Sequence, residues 1–182
     1  MLFKKIRVPQ LETERLILRP WASKDAVDLF EYAQDPEVGP NAGWAPHRDL
    51  GESCGVINNF YKKSMTWAIQ EKETGKVVGN VMLENDPYRP AVASKEIGYS
   101  LARTRWGKGY MPEAVKRVIS YTFDVLNVDV IMLRTADDNL KSQRVAEKCG
   151  FTYEGTLRHS FRTYNGQIRE VRCYSLLKNE YK

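Results

Sequence analysis

Nine residues constrain this chain most: Trp106-Gly107-Lys108-Gly109-Tyr110-Met111-Pro112-Glu113-Ala114. They join a strand-like run, Ile97-Gly98-Tyr99-Ser100-Leu101, to a helix that opens at Pro112. Val115, Val118, Ile119, Thr122, Phe123 and Leu126 recur at helical spacing beyond it,. Pro112 suits a first helical turn, and Glu113 suits the positive end of the helix dipole. A glycine-spaced turn feeding a helix start is a ready anion site. Its glycines let backbone approach closely, and successive N–H groups without helical partners point outward. A pyrophosphate fits such a place.

The spacing excludes the better-known phosphate loops. A Walker loop needs four residues between its glycines and then Lys and Ser/Thr, and a dinucleotide fingerprint needs G-x-G-x-x-G. The run instead resembles the acyl-CoA loop of the GCN5-related N-acetyltransferases, written (Gln/Arg)-x-x-Gly-x-(Gly/Ala). In that register Trp106 stands for Gln/Arg, Gly109 is the central glycine, and Met111 stands for the last small residue. Both departures match the subfamily acting on ribosomal-protein N-termini, where Trp-Gly-x-Gly-Tyr followed by Glu-Ala is common. The resemblance implies that main-chain groups of Trp106, Gly107, Lys108, Gly109, Tyr110 and Met111 hold the diphosphate of acetyl-CoA.

The rest of the chain runs in a compatible order. A strand is expected around Leu16 to Arg19, ended by Pro20, then a helix capped by Ser23 and closed by Asp35-Pro36,. Glu37 to Arg48 is rich in Pro, Gly and Asn and is expected to be a loop, before a second helix from Leu50 to Lys62. Strands at Thr66–Gln70 and Val77–Leu83 flank the turn Glu73-Thr74-Gly75-Lys76,. Asn85 to Ala93 is a loop. The strand Glu96 to Ala102 places Ile97, Tyr99 and Leu101 on one face and Glu96, Gly98 and Ser100 on the other,. Val130-Ile131-Met132-Leu133 is apolar throughout, as a strand buried on both faces is,. A helix from Asn139 to Cys149 stops at Gly150, and strands at Phe151–Arg158 and Glu170–Leu177 flank the hairpin Tyr164-Asn165-Gly166-Gln167,. The order β-α-α-β-β-β-α-β-α-β-β is the acetyltransferase order. One domain over residues 1–182 is expected, α/β with a mixed twisted sheet and helices on both faces.

Asn139-Leu140-Lys141-Ser142, followed by Lys148-Cys149-Gly150-Phe151, resembles the second motif of the same family. There the Asn touches the pantetheine or substrate amide, and the Ser stands near the cofactor sulfur as a proton donor. Asn139 is also a favoured helix cap, and both roles can hold at once. Many relatives carry a donor Tyr four residues before the Gly of Gly-Phe. Here that place is Ala146, which leaves Ser142 or a Tyr from elsewhere. Arg144 is within reach of a CoA phosphate or is simply an exposed helix arginine. By likeness to relatives, the strand before the loop leaves backbone groups of Ser100, Leu101 and Ala102 for the pantetheine amides.

Amine acetylation needs an uncharged amine. A lysine amine of pKa ~10.4 is neutral in about one molecule per thousand or fewer at pH 7, whereas an α-amine of pKa ~7.7–8.0 is neutral in about a tenth or more. Glu96, at the start of the strand leading into the loop, is the candidate base, since burial there raises a carboxyl pKa. Glu84 and Glu154 are weaker alternatives. The Glu37–Arg48 loop, the second helix and the last hairpin are expected to select the acceptor, with Trp44, Trp67, Tyr88 and Tyr164 near it. That acceptor is a protein N-terminus or a small-molecule amine.

Composition narrows the alternatives. With 182 residues, 42% hydrophobic and 28% charged, the chain can build one core,. Cys54, Cys149 and Cys173 are widely spaced and only His47 and His159 are available beside them, so neither a disulfide framework nor a metal site is expected,. The net charge of +5 suits an anionic ligand, but Lys and Arg are scattered, and direct nucleic-acid binding is not expected,. The basic opening, Met1 to Arg7, is not followed by an apolar run of signal-peptide length, and no run is long enough to span a bilayer,. A cytoplasmic monomer or homodimer is the expectation. A non-catalytic acyl-CoA-binding module keeps the same loop without needing a base.

Overall fold

A computed structural model describes residues 8–181; the basic segment Met1 to Arg7 lies outside them. Among the described residues, eight strands form one mixed sheet in the order β1-β2-β3-β4-β5-β6-β8-β7. The strands are β1 (Leu11–Glu12), β2 (Leu16–Pro20), β3 (Met65–Glu71), β4 (Val77–Glu84), β5 (Ser94–Leu101), β6 (Val130–Ala136), β7 (Thr152–Arg162) and β8 (Ile168–Leu177). Among the described residues, five α-helices interrupt them: α1 (Ala26–Ala33), α2 (Gly39–Ala42), α3 (Leu50–Asn59), α4 (Tyr110–Asp124) and α5 (Leu140–Lys148). All neighbours pair antiparallel except β5 with β6.

Strand parity places the helices. Trp67, Val81 and Tyr99 are cross-strand partners and therefore share one face,. On it Trp67 packs edge-on to Tyr121 of α4, and the Tyr99 hydroxyl reaches Ser142 of α5. Ala68, Asn80 and Ser100 line the opposite face, where Tyr32 of α1 stands beside Ser100 and α1 packs on α3. The expected two-sided architecture is what is found. Each face of the sheet has its own apolar cover, and β6 is buried on both from Val130 to Leu133.

Several local expectations are corrected. Helix α4 opens at Tyr110, two residues before Pro112, because Gly109 with φ +80° makes the turn and Pro112 still falls where no helical N–H is required,. Ser23 does not cap α1. It begins a short 3-10 turn, and the Asp25 carboxylate, fixed by Arg19, accepts the Ala22 N–H instead. The segment from Glu37 to Arg48 contains α2, four residues long. Helix α3 ends at Asn59, before a separate 3-10 turn over Tyr61–Lys63. A two-residue strand, β1, precedes the first expected strand.

The sheet carries one discontinuity that matters for chemistry. β5 pairs with β6 only from Ser94↔Val130 to Ile97↔Leu133. Beyond that point β5 continues beside β4 as far as Leu101, and β6 continues beside β8 as far as Ala136. The two strands part, and a wedge opens in the middle of the sheet.

Gly79, opposite Leu101 on β4, lets this end of β5 lie close. A Cβ there would press on the Ser100 carbonyl and come within 3.2 Å of the Leu101 Cα. We predict that Gly79→Ala lowers stability by about 2 kcal/mol in urea unfolding. An unchanged midpoint would contradict this tight approach.

Candidate active site

The wedge and the glycine turn meet at one place. A 3-10 turn over Arg103–Arg105 follows β5, and Gly107 (φ +76°) and Gly109 (φ +80°) then bend the chain into α4. Both glycines are left-handed, a conformation other residues adopt at a cost. Among the described residues, no amide from Gly107 to Met111 donates to a protein acceptor; the first main-chain bond of the helix is Glu113 N–H to Gly109 O, 3.2 Å. Five consecutive amides, three in the turn and two at the helix start, are thus available to an anion at the positive end of α4,.

Strand alternation decides which β5 groups face the wedge. The Ala102 N–H donates to Val78 O at 2.8 Å, and its carbonyl accepts from Arg105 N at 2.9 Å. Residues of the same parity, Ser100 among them, turn their main-chain groups to β4. This corrects the expectation for Ser100 and Ala102. Tyr99 and Leu101 present their groups to the wedge. The Leu101 carbonyl is already engaged by the indole N–H of Trp106 at 2.9 Å, which leaves the Leu101 N–H and both Tyr99 groups. Ser100 instead bonds through its hydroxyl to the Asn80 side chain on the opposite face.

Trp106 closes one side of the mouth, with the Lys141 ammonium 3.9 Å from its ring centre. Asn139 caps α5, its Oδ1 accepting the Ser142 N–H at 3.1 Å. Its Nδ2 stands 3.5 Å from the Asn41 carbonyl of α2. The Ser142 hydroxyl is 2.8 Å from the Tyr99 hydroxyl, a partner that motif reading had not named. Burial pushes the Tyr99 phenol well up, so it stays protonated. Arg144 is exposed.

Glu96 lies on the opposite face from Tyr99, half-buried, and both its oxygens accept from Arg134 at 2.8 Å. Burial raises its pKa, Arg134 opposes this, and the net shift is upward. The Tyr88 ring lies 5.4 Å from the Arg134 guanidinium. Glu154 is bound to Arg89, which also holds Asp86, whereas Glu84, cross-strand to Glu96, has no basic partner among the described residues. Trp67 is fully buried against α4 and belongs to the core, so it lies away from Glu96. Tyr164 is exposed at the hairpin tip. Trp44 packs on Gly39 and His47 in the α2 segment.

Two carboxylates distant in sequence hold the turn. Glu71, at the end of β3, accepts from Arg105 Nε and Nη2 at 2.9 Å, from the Tyr110 hydroxyl at 2.8 Å and from Thr74 at 2.7 Å. Chiefly through Arg105, its pKa falls to about 2. Glu113 accepts from Thr13 and from the main chain and guanidinium of Arg15. Burial pushes the Glu113 carboxyl up, those hydrogen bonds pull it down, and the net is downward.

The comparisons with known proteins bear on the family and the fold. A family profile described as Acetyltransferase (GNAT) domain matches residues 15–152. The N-acetyltransferase p20 of Bacillus licheniformis, itself uncharacterised, is 34% identical over 179 residues, covering 94% of this chain and 97% of that one. Among solved structures, the ribosomal-protein-S5-alanine acetyltransferase of Vibrio fischeri superposes with a TM-score of 0.74 at 24% identity, covering 96% of this chain and 99% of that one. The spermidine N-acetyltransferase of Vibrio cholerae, solved with CoA and spermine, gives 0.77 at 23% identity, covering 93% and 99%. At those identities the two structures speak for the fold alone.

The depressed pKa of Glu71 makes a pH prediction. Its folded value, about 2, lies below its ordinary value of 4.5, so the stabilisation is complete above pH 4.5 and is lost as pH falls towards 2,. We expect wild type to exceed Glu71→Gln by up to roughly 3 kcal/mol at pH 7 and by much less at pH 3 in urea unfolding. An advantage equal at both pH values would contradict the Arg105 clamp.

Proposed function

Since this chain belongs to the acetyltransferase (GNAT) family and is an acetyl-CoA-dependent N-acetyltransferase, we propose that its acceptor is an α-amine at a protein N-terminus. The observation that carries the donor half is the meeting of unpaired loop amides with the wedge between β5 and β6. In this reading the Gly107–Met111 amides take the diphosphate, and the pantetheine arm lies in the wedge against Tyr99 and Leu101. The thioester emerges towards the Glu96 face, where the acceptor approaches. A main-chain N–H on β5 steadies the oxyanion that forms as the amine attacks. The departing thiol resembles cysteine, pKa ~8.5, and needs little acid help. Ser142, with the Tyr99 hydroxyl behind it, is the proton source for that sulfur.

The acceptor half rests on the state of Glu96. A carboxylate gripped by both arms of an arginine is a weak base, even with its pKa raised by burial. Such a site suits an amine already partly neutral at pH 7 and does not suit a lysine. A polyamine also wants several free carboxylates, yet Glu96, Asp86 and Glu154 are paired with arginine, which leaves Glu84 beside Glu96 as the single unpaired carboxylate of the four. Glu96 then receives the amine proton through water, with Arg134 holding it in place.

Two measurements test this. Glu96→Gln should lower kcat about tenfold or more at pH 7, and the deficit should shrink as pH rises and the amine deprotonates by itself. A variant with the wild-type pH profile would remove Glu96 from the reaction. In a thiol-release assay with acetyl-CoA, peptides with free N-termini should give higher kcat/KM than N-terminally blocked lysine peptides or spermidine. A preference for spermidine would overturn the α-amine reading.

A further inference from the structure

We propose that Arg15, on the turn between β1 and β2, is a positioning residue for donor binding that aims the Gly109 N–H at the diphosphate; this rests on the donor-site reading above. The reason lies in one peptide plane. Arg15 Nη1 donates to the Lys108 carbonyl at 2.9 Å. In a planar trans peptide, the carbonyl and the following N–H point in opposite directions, and the described chain has no cis peptide bond. The Gly109 N–H therefore points away from Arg15, to the open side of the turn. Gly109, whose φ is one of the two torsions that turn this plane, leaves it easy to flip in an unrestrained chain. Arg15 removes that freedom.

The guanidinium is itself fixed. Its Nε lies 2.7 Å and its Nη2 2.6 Å from Glu113 Oε2, and its main-chain N–H donates to Glu113 Oε1 at 2.9 Å. Its face lies 4.4 Å from the centre of the Tyr110 ring. Nη2 is 3.4 Å from where a Gly109 Cβ would be, so the cation backs directly onto the turn. One planar fork thus ties the Lys108 carbonyl to the first turn of α4, a geometry a lysine ammonium cannot reproduce. There is an electrostatic consequence too. A carboxylate in the first turn favours the helix but repels a diphosphate arriving at the same end. Arg15 neutralises Glu113 from behind, so the helix keeps its anchor and the site keeps its positive potential.

The test compares two donors, acetyl-CoA and S-acetyl-pantetheine, which lacks the diphosphate. For Arg15→Lys, which keeps the charge and loses the fork, the ratio of kcat/KM for acetyl-CoA over acetyl-pantetheine should fall about tenfold from its wild-type value. Most of that fall should appear in KM. A ratio equal to wild type, with both donors impaired alike, would reduce Arg15 to a structural role and overturn the proposal. A wild type that does not distinguish the donors overturns the donor-site reading itself. A second measurement does not depend on the variant folding. In wild-type protein labelled with nitrogen-15, the Gly109 amide resonance should move on adding CoA and stay in place with acetyl-pantetheine. A Gly109 amide indifferent to CoA would also overturn the proposal.

Discussion

β5 and β6 are partners for four residues and then separate, and the site depends on that separation. Unpaired N–H and C=O groups in the middle of a sheet are costly unless something bonds them. The fold tolerates them because each strand keeps its outer neighbour, β4 on one side and β8 on the other. The wedge is therefore a stable feature of the sheet. An extended arm carrying amides, as pantetheine does, matches groups that would otherwise lack protein partners.

The same logic extends to the turn at the mouth of the wedge. Left-handed glycines bend the chain into α4, but glycine also leaves the turn's amides free to wander,. Order comes from outside the turn, through Glu71 gripping Arg105 and Tyr110 and Arg15 gripping Lys108 and Glu113. Each carboxylate is matched by an arginine, so the turn is fixed without leaving uncompensated negative charge beside its open amides. On the other face, Arg134 holds Glu96. In the proposed reading the amide-rich turn serves the donor, and the restrained Glu96 carboxylate serves the acceptor.

Much of this was readable in the sequence. The apolar period of α4, the unbroken apolar run of β6 and the turn at Gly166 are local signals, and the structure realises them. The resemblance at Trp106–Ala114 and Asn139–Phe151 correctly indicated the family. What escaped was non-local. Arg15 and Glu113 are 98 residues apart, and Arg105 and Glu71 are 34 apart, so no spacing rule joins them. The roles of Ser100 and Ala102 depended on strand parity relative to β4, which one bond, Ala102 N–H to Val78 O, decides. Trp67 looked like a pocket aromatic, but its parity turns it into the core beneath α4. α2 was missed because four residues containing a Pro and a Gly carry no period.

A crystal structure of this protein with CoA tests the central claim most directly. The diphosphate should lie within hydrogen-bond distance of the amides from Gly107 to Met111, with the pantetheine arm between β5 and β6 bonded to Tyr99 and Leu101. Phosphates lodged elsewhere, or an arm lying outside the wedge, would contradict it.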